Sequence, residues 1–195
     1  YLFAIAQASS RGPASDGRIK PEPAAVGTNV YSAMDGHAHG FKPGTAVAAP
    51  GVAGFFTVLH NAHDELQGDT ATGGLLKAIA MNTADDLGNN GPDFIFGYGR
   101  VNARRAIRTI RDTAWFTNSI TTGDTLTYDI NVPNGARELR AMLYWTDKEG
   151  STFASKALVN NLDFTVTDLT GSATYQPWVL NPTPNNVTLN NLAVR

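Results

Sequence analysis

Two hydrophobic periods divide this chain. From Ala46 to about His63, Val52, Phe55, Phe56 and Leu59 fall at i, i+3, i+4 and i+7, the spacing of one face of an α-helix. Pro50 suits the start of such a helix, where amides have no intrahelical acceptor to lose. Thr72 stands where it can cap a second helix with Leu75, Leu76 and Ile79 on its buried face. A third, short helix is predicted over Val101–Ile110. Beyond Arg111 the period becomes two: Leu126, Tyr128, Ile130 and Val132 alternate with Thr127, Asp129 and Asn131. Leu139, Ala141, Leu143 and Trp145 do the same, as do Leu162, Phe164 and Val166, with turn residues at Pro133-Asn134-Gly135 and Lys148-Glu149-Gly150. That pattern predicts antiparallel strands with one buried and one polar face. The expected architecture is therefore α/β over residues 1–111, followed by an all-β antiparallel sandwich over residues 112–195.

Smaller features complete the pattern. Leu2 to Ala8 is apolar with no cationic residue before it, so it reads as a buried strand rather than a signal peptide. Asn89-Asn90-Gly91-Pro92 is a turn, Asp85-Asp86 reads as a solvated helix end, and the asparagines at 181, 185, 186, 190 and 191 read as turn chemistry.

Composition narrows the function classes. The 195 residues are 42% hydrophobic and 16% charged, enough for a folded core in one or two domains. A net charge of −2 without a basic run gives no footprint for nucleic acid or an anionic membrane. No apolar run approaches the roughly 20 residues of a membrane-spanning helix. The chain has no cysteine, so disulfides are excluded and redox compartment is not legible.

Candidate chemistry centres on Gly44-Thr45-Ala46-Val47-Ala48-Ala49-Pro50-Gly51-Val52-Ala53-Gly54. The stretch resembles the nucleophile motif of subtilisin-like serine proteases, Gly-Thr-Ser-x-Ala-[Ser/Ala]-Pro leading into a small-residue helix. Further segments resemble that family in its order. These are Ser9 to Pro13, Ser15 to Pro21, Gly27-Thr28-Asn29-Val30-Tyr31-Ser32, Gly40-Phe41-Lys42, Leu76-Lys77-Ala78 with Asn82-Thr83-Ala84, and Gly97-Tyr98-Gly99-Arg100-Val101-Asn102-Ala103. One departure is Lys20-Pro21-Glu22-Pro23-Ala24-Ala25-Val26-Gly27, where the family usually has Lys-Pro-Asp followed by Ala-Pro-Gly. Leu143 to Asp147 and Leu158 to Asp163 resemble the jelly-roll domain that follows the catalytic domain in a branch of secreted bacterial subtilases.

The resemblance implies a peptidase scaffold without its nucleophile. At the family's serine position stands Ala46, whose methyl group cannot form an acyl-enzyme. At the N-terminus of the predicted helix, the backbone N–H of Ala46 would be an oxyanion-hole donor. The family presents its triad in the order Asp, His, Ser, and the matched stretch begins after the regions that carry the Asp and His, so neither is in this chain. His37, His39, His60 and His63 do not fall where the family's catalytic histidine would, and the His37–His39 pair has no carboxylate pattern typical of a metal site. Three origins are open for Ala46: a serine removed by design, a natural pseudoprotease, or a degenerate fragment.

The family implies a peptide or protein substrate and secretion. It requires no cofactor for its chemistry. Structural calcium is often present in this branch, with Asp147, Asn161 and Asp163 the candidates here, although turn roles fit those residues better. The missing N-terminal half, flanking or as a separate chain, is the expected partner. The alternative function is a non-catalytic module that holds extended peptide as an added strand.

Overall fold

The computed structural model describes residues 4–182. A hairpin leads into three helices. Strand β1 (Val30–Ala33) pairs antiparallel with β2 (His39–Lys42), Tyr31 opposite Phe41 and Ala33 opposite His39. A 3₁₀ turn, Asp35–His37, joins them. Two residues after β2 the chain enters α1 (Thr45–Gln67). Then come α2 (Gly73–Asn82) and α3 (Ala103–Arg111).

The helices form where the apolar spacing predicts, and their ends have local causes. Helix α1 runs four residues beyond His63 and stops at Gly68, whose left-handed backbone (φ 77°) lets its N–H return to the Asp64 carbonyl at 3.0 Å. The Thr72 hydroxyl accepts from Leu75 N at 3.2 Å, capping α2 as expected. Asn102 does the same for α3 through Arg105 N at 3.0 Å.

The core sits where the three helices meet. Phe55 and Leu59 of α1, Leu76, Ile79 and Ala80 of α2, and Ala106 and Ile110 of α3 are buried together. Val52 and Phe56 of the predicted stripe lie at its margin, half-buried. The end of α3 is tied across the junction: Gln67 Nε2 of α1 donates at 2.8 Å to the Ile110 carbonyl, which also accepts from Thr113 N at 3.1 Å.

Between α2 and α3 the chain folds back on itself. Arg100 lies between two neighbours, bridging Ala24 in parallel and Asp85 in antiparallel sense. The backbones of Asp85 and Arg100 exchange both hydrogen bonds, at 2.8 and 2.9 Å. Asp93, 1% exposed, holds this loop from inside: its Oδ1 accepts from Ile95 N at 2.7 Å and Phe96 N at 2.6 Å, its Oδ2 from Asn89 N at 3.4 Å.

Several expectations are not met among the described residues. The antiparallel sandwich is not shown for residues 112–182; the ladder described there is the two-residue pair β3 (Val166–Thr167) with β4 (Thr174–Tyr175). Leu126, Tyr128, Ile130 and Val132 keep 41–52% of their surface exposed. Alternation defines which side chains share a face, but a strand also needs a neighbour for its N–H and C=O groups. Around residue 142 the predicted phase is reversed. Leu139, Ala141 and Leu143 face outward, while Arg140, Met142 and Tyr144 turn inward. The inward set has a helix to lie against: Arg140 Nη1 donates to the Ala84 carbonyl at 2.9 Å, and Asn82 Nδ2 donates to the Arg140 carbonyl at 3.3 Å. The Tyr144 ring passes close to Gly74 and lies 5.4 Å from Lys77 Nζ. Residues 4–8 form no strand and are exposed or half-buried, so the buried strand expected over Leu2–Ala8 is absent from the part described. Asn185, Asn186, Asn190 and Asn191 lie outside the described residues.

Candidate active site

The chain turns sharply between hairpin and helix. Gly44 has φ 144° and ψ 155°, a backbone conformation that side chains with a Cβ seldom adopt. Its N–H donates to the Gly27 carbonyl at 2.7 Å. A Cβ on Gly27 would come within 2.7 Å of the Gly44 carbonyl oxygen, so two glycines are needed where these chains touch. The turn fixes the first residues of α1. Val47 N and Ala48 N reach back to the Gly44 carbonyl at 3.0 and 3.3 Å. The N–H groups of Thr45 and Ala46 meet no partner among the described residues, as helix geometry requires of first-turn amides. Ala46 is exposed in that first turn. The positive end of the α1 dipole and its free amides thus open outward at residue 46.

One side of this turn is aromatic. Tyr31 and Phe41, 62% and 67% exposed, meet edge to face at 5.2 Å, and Tyr31 stacks on His39 at 6.0 Å.

The histidines serve local structure. His37 lies in the 3₁₀ turn, and His39 belongs to β2. His60 lies 14 residues along α1 from Ala46, about 21 Å at the helical rise, and pairs with Asp64 one turn on, at 3.3 Å. His63 is buried against Trp115, with Nδ1 3.1 Å from the Asp69 carbonyl. Among the described residues no group of three or more His, Cys, Asp or Glu converges as a metal would need.

Asp147 closes a loop. It accepts from Lys148 N at 2.9 Å, Val159 N at 2.7 Å, and Asn160 N and Nδ2 at 3.1 and 2.7 Å. Those bonds, led by Val159, hold its carboxyl below the usual range. Asn161 Nδ2 donates to Asp163 Oδ2 at 3.2 Å.

Two charged groups make contacts that no local pattern marks. Glu22, the departure from the family pattern, bridges Lys20 Nζ at 3.1 Å and Lys77 Nζ of α2 at 3.2 Å. Burial acts to raise its carboxyl pKa, but the two lysines outweigh burial and hold it low. The longer side chain thus ties the loop before the hairpin to α2. Asp85 is not a solvated helix end. Its carboxylate takes Arg100 Nη2 at 2.8 Å and Asn102 Nδ2 at 2.8 Å, with Arg105 Nη1 at 3.7 Å. Partners this distant in sequence leave no local signal.

Burial alone would push the Asp85 carboxyl up, yet the bonds from Arg100 and Asn102 and the nearby charges bring it below 3.8. A depressed folded pKa stabilises above the unfolded value and is lost as pH falls through the folded one. Urea midpoints of wild type and Asp85→Asn should therefore differ at neutral pH and converge below about pH 4. A gap that does not narrow on acidification would show that the charge of Asp85 contributes nothing.

The chain matches the Subtilase family model over residues 4–99. It is 42% identical over 69 residues to the extracellular serine protease of Serratia marcescens, covering 35% of this chain and 6% of that protein. It is 33% identical over 115 residues to the minor extracellular protease Vpr of Bacillus subtilis, covering 53% of this chain and 14% of that protein. The CspB protease of Clostridium perfringens is similar in structure with 28% identity and a TM-score of 0.45, over 49% of this chain and 21% of that one. The chain thus spans less than a sixth of the curated relatives' length.

Proposed function

We propose that this chain is part of a subtilisin-like serine endopeptidase whose nucleophile position is occupied by Ala46. Residues 1–111 would be the C-terminal portion of the catalytic domain, and residues 112–195 the beginning of a jelly-roll domain. The observation that carries the reading is the junction at Gly44: a glycine turn delivers Ala46 to the first turn of a long helix, exposed, with unpaired amides around it. In the family's reaction a serine here attacks the peptide carbonyl, a histidine oriented by an aspartate takes its proton, and backbone donors hold the oxyanion. This chain supplies the last component through the Ala46 N–H and omits the first. The His and Asp would come from upstream sequence, flanking or on a separate chain.

Peptide or protein is the substrate class this scaffold suits, and the extracellular relatives support secretion. The chemistry calls for no cofactor. Structural calcium at Asp147 would have to displace the amides already bound to it.

A second reading is a natural pseudoprotease that binds peptide without cutting it. Glu22 favours it, because the departure from the family pattern is built into an ion network and not left as a blemish. Incubation of the 195-residue chain with a fluorophosphonate probe separates these readings from their competitors. No covalent label is expected, and a label at any residue of 44–54 would overturn the placement of Ala46. Tight, sequence-selective peptide binding by the same chain would move the pseudoprotease ahead.

A further inference from the structure

The chain contains two Asn-Gly dipeptides, Asn90-Gly91 and Asn134-Gly135. Asn-Gly is the pair in which a backbone nitrogen most readily attacks the preceding side-chain amide, because glycine places no Cβ in its path. As sequence the two are equivalent. Their surroundings are not.

At the first, Gly91 N–H donates to Asp86 Oδ2 at 2.7 Å. The carboxylate makes this a charge-assisted bond. The Trp178 ring lies so near that a Cβ on Gly91 would approach it to 2.9 Å. Asp93 pins both sides of the turn through Asn89 N, Ile95 N and Phe96 N. The attacking nitrogen is therefore tied by its own hydrogen, and the backbone around it cannot swing.

At the second, Asn134 and Gly135 are both exposed. The turn is closed by one hydrogen bond, Ala136 N to the Pro133 carbonyl at 3.1 Å. A Cβ on Gly135 would meet nothing within 4 Å. No partner among the described residues holds the Gly135 N–H.

We propose that Asn134 is a site of spontaneous self-modification by deamidation, and that Asp86 protects the equivalent Asn90. The Gly135 nitrogen gives its proton to solvent base and bonds to Asn134 Cγ. The Cγ–Nδ2 bond breaks and ammonia leaves, taking a proton from water, to give a five-membered succinimide. Water then opens the ring at either carbonyl, yielding aspartate or isoaspartate. The net change is NH₂ for OH, with water as the one co-reactant and no change of oxidation state. The product carries one more negative charge on a chain now at −2. Where isoaspartate forms, the backbone of the turn gains a carbon.

The test ages the folded chain in mildly alkaline buffer and maps it with trypsin. Cleavage at Lys77 and Arg100 isolates Asn90 in fragment 78–100; cleavage at Arg111 and Arg137 isolates Asn134 in fragment 112–137. Amide-to-acid mass increase and isoaspartyl methyltransferase labelling are the readouts. In the folded chain Asn134 should convert about tenfold faster than Asn90, a factor within reach of one charge-assisted hydrogen bond. In urea the two rates should agree. Asp86→Ala should release Asn90, while Asp86→Asn, which keeps an acceptor oxygen, should largely preserve its protection. Equal rates in the folded chain, or conversion at Asn90 first, would overturn the proposal. The folded-against-urea comparison in wild type decides the matter even if Asp86→Ala does not fold.

Discussion

Serine at position 46, in a protein that also carries the family's aspartate and histidine regions, is expected to cleave peptides about a million-fold faster than the alanine form. That is the factor by which removing the serine alone lowers kcat in subtilisin. The physical basis is the missing oxygen: the Ala46 methyl can form no bond to a carbonyl carbon, while the free first-turn amides around it still offer oxyanion stabilisation. The same substitution in the 195-residue chain should leave hydrolysis at background, because the two histidines of α1 are held away from residue 46. His60 lies far along α1 against Asp64, and His63 is buried against Trp115. Turnover of a fluorogenic peptide by both proteins is the measurement. A serine form no faster than the alanine form, in the extended protein, would mean that residue 46 is not the nucleophile position.

Leu59→Ala is expected to destabilise the helical portion by about 2–5 kcal/mol. Leu59 is fully buried where α1 faces both other helices, against Leu76, Ile79 and Ile110. Truncation removes favourable burial and leaves a cavity that three interlocked helices can only partly close. Val58, its neighbour on α1, is 51% exposed, and Val58→Ala should cost no more than about 1 kcal/mol. Urea denaturation followed by far-ultraviolet circular dichroism reads both. Equal losses for the two variants would show that the shared helix, and not burial at the junction, sets the cost.

What was legible in the sequence follows from the range over which each interaction acts. The helices were legible because the features that make them are local: the spacing of Phe55 and Leu59, the Thr72 cap, the reach from residue 102 to residue 105. The start of α1 near Ala46 was legible through its motif, whereas the pairing of β1 with β2 was not predicted. Asp85 was misread because its partners, Arg100 and Asn102, lie 15 and 17 positions on. Asp93 escaped notice for the same reason, being buried by a fold-back, and Glu22 was noted only as a departure from the motif because its partner Lys77 lies 55 positions on. In residues 112–182 period two was present, but the choice of neighbour was not. Arg140 and Tyr144 found α2, and their inward turn reversed the predicted phase.

That contact of Arg140 and Tyr144 with α2 also has a mechanical meaning. Tension applied to the chain beyond residue 146 does not travel first to α3, the nearest helix along the sequence. It arrives at α2 and the residues just after it, through a ring beside Gly74 and a guanidinium hooked on the Ala84 carbonyl. Residues 116–139 then lie between two fastened points, Trp115 against His63 and Arg140 against Ala84. The load thus enters the three-helix junction through its middle helix and not through the end of α3.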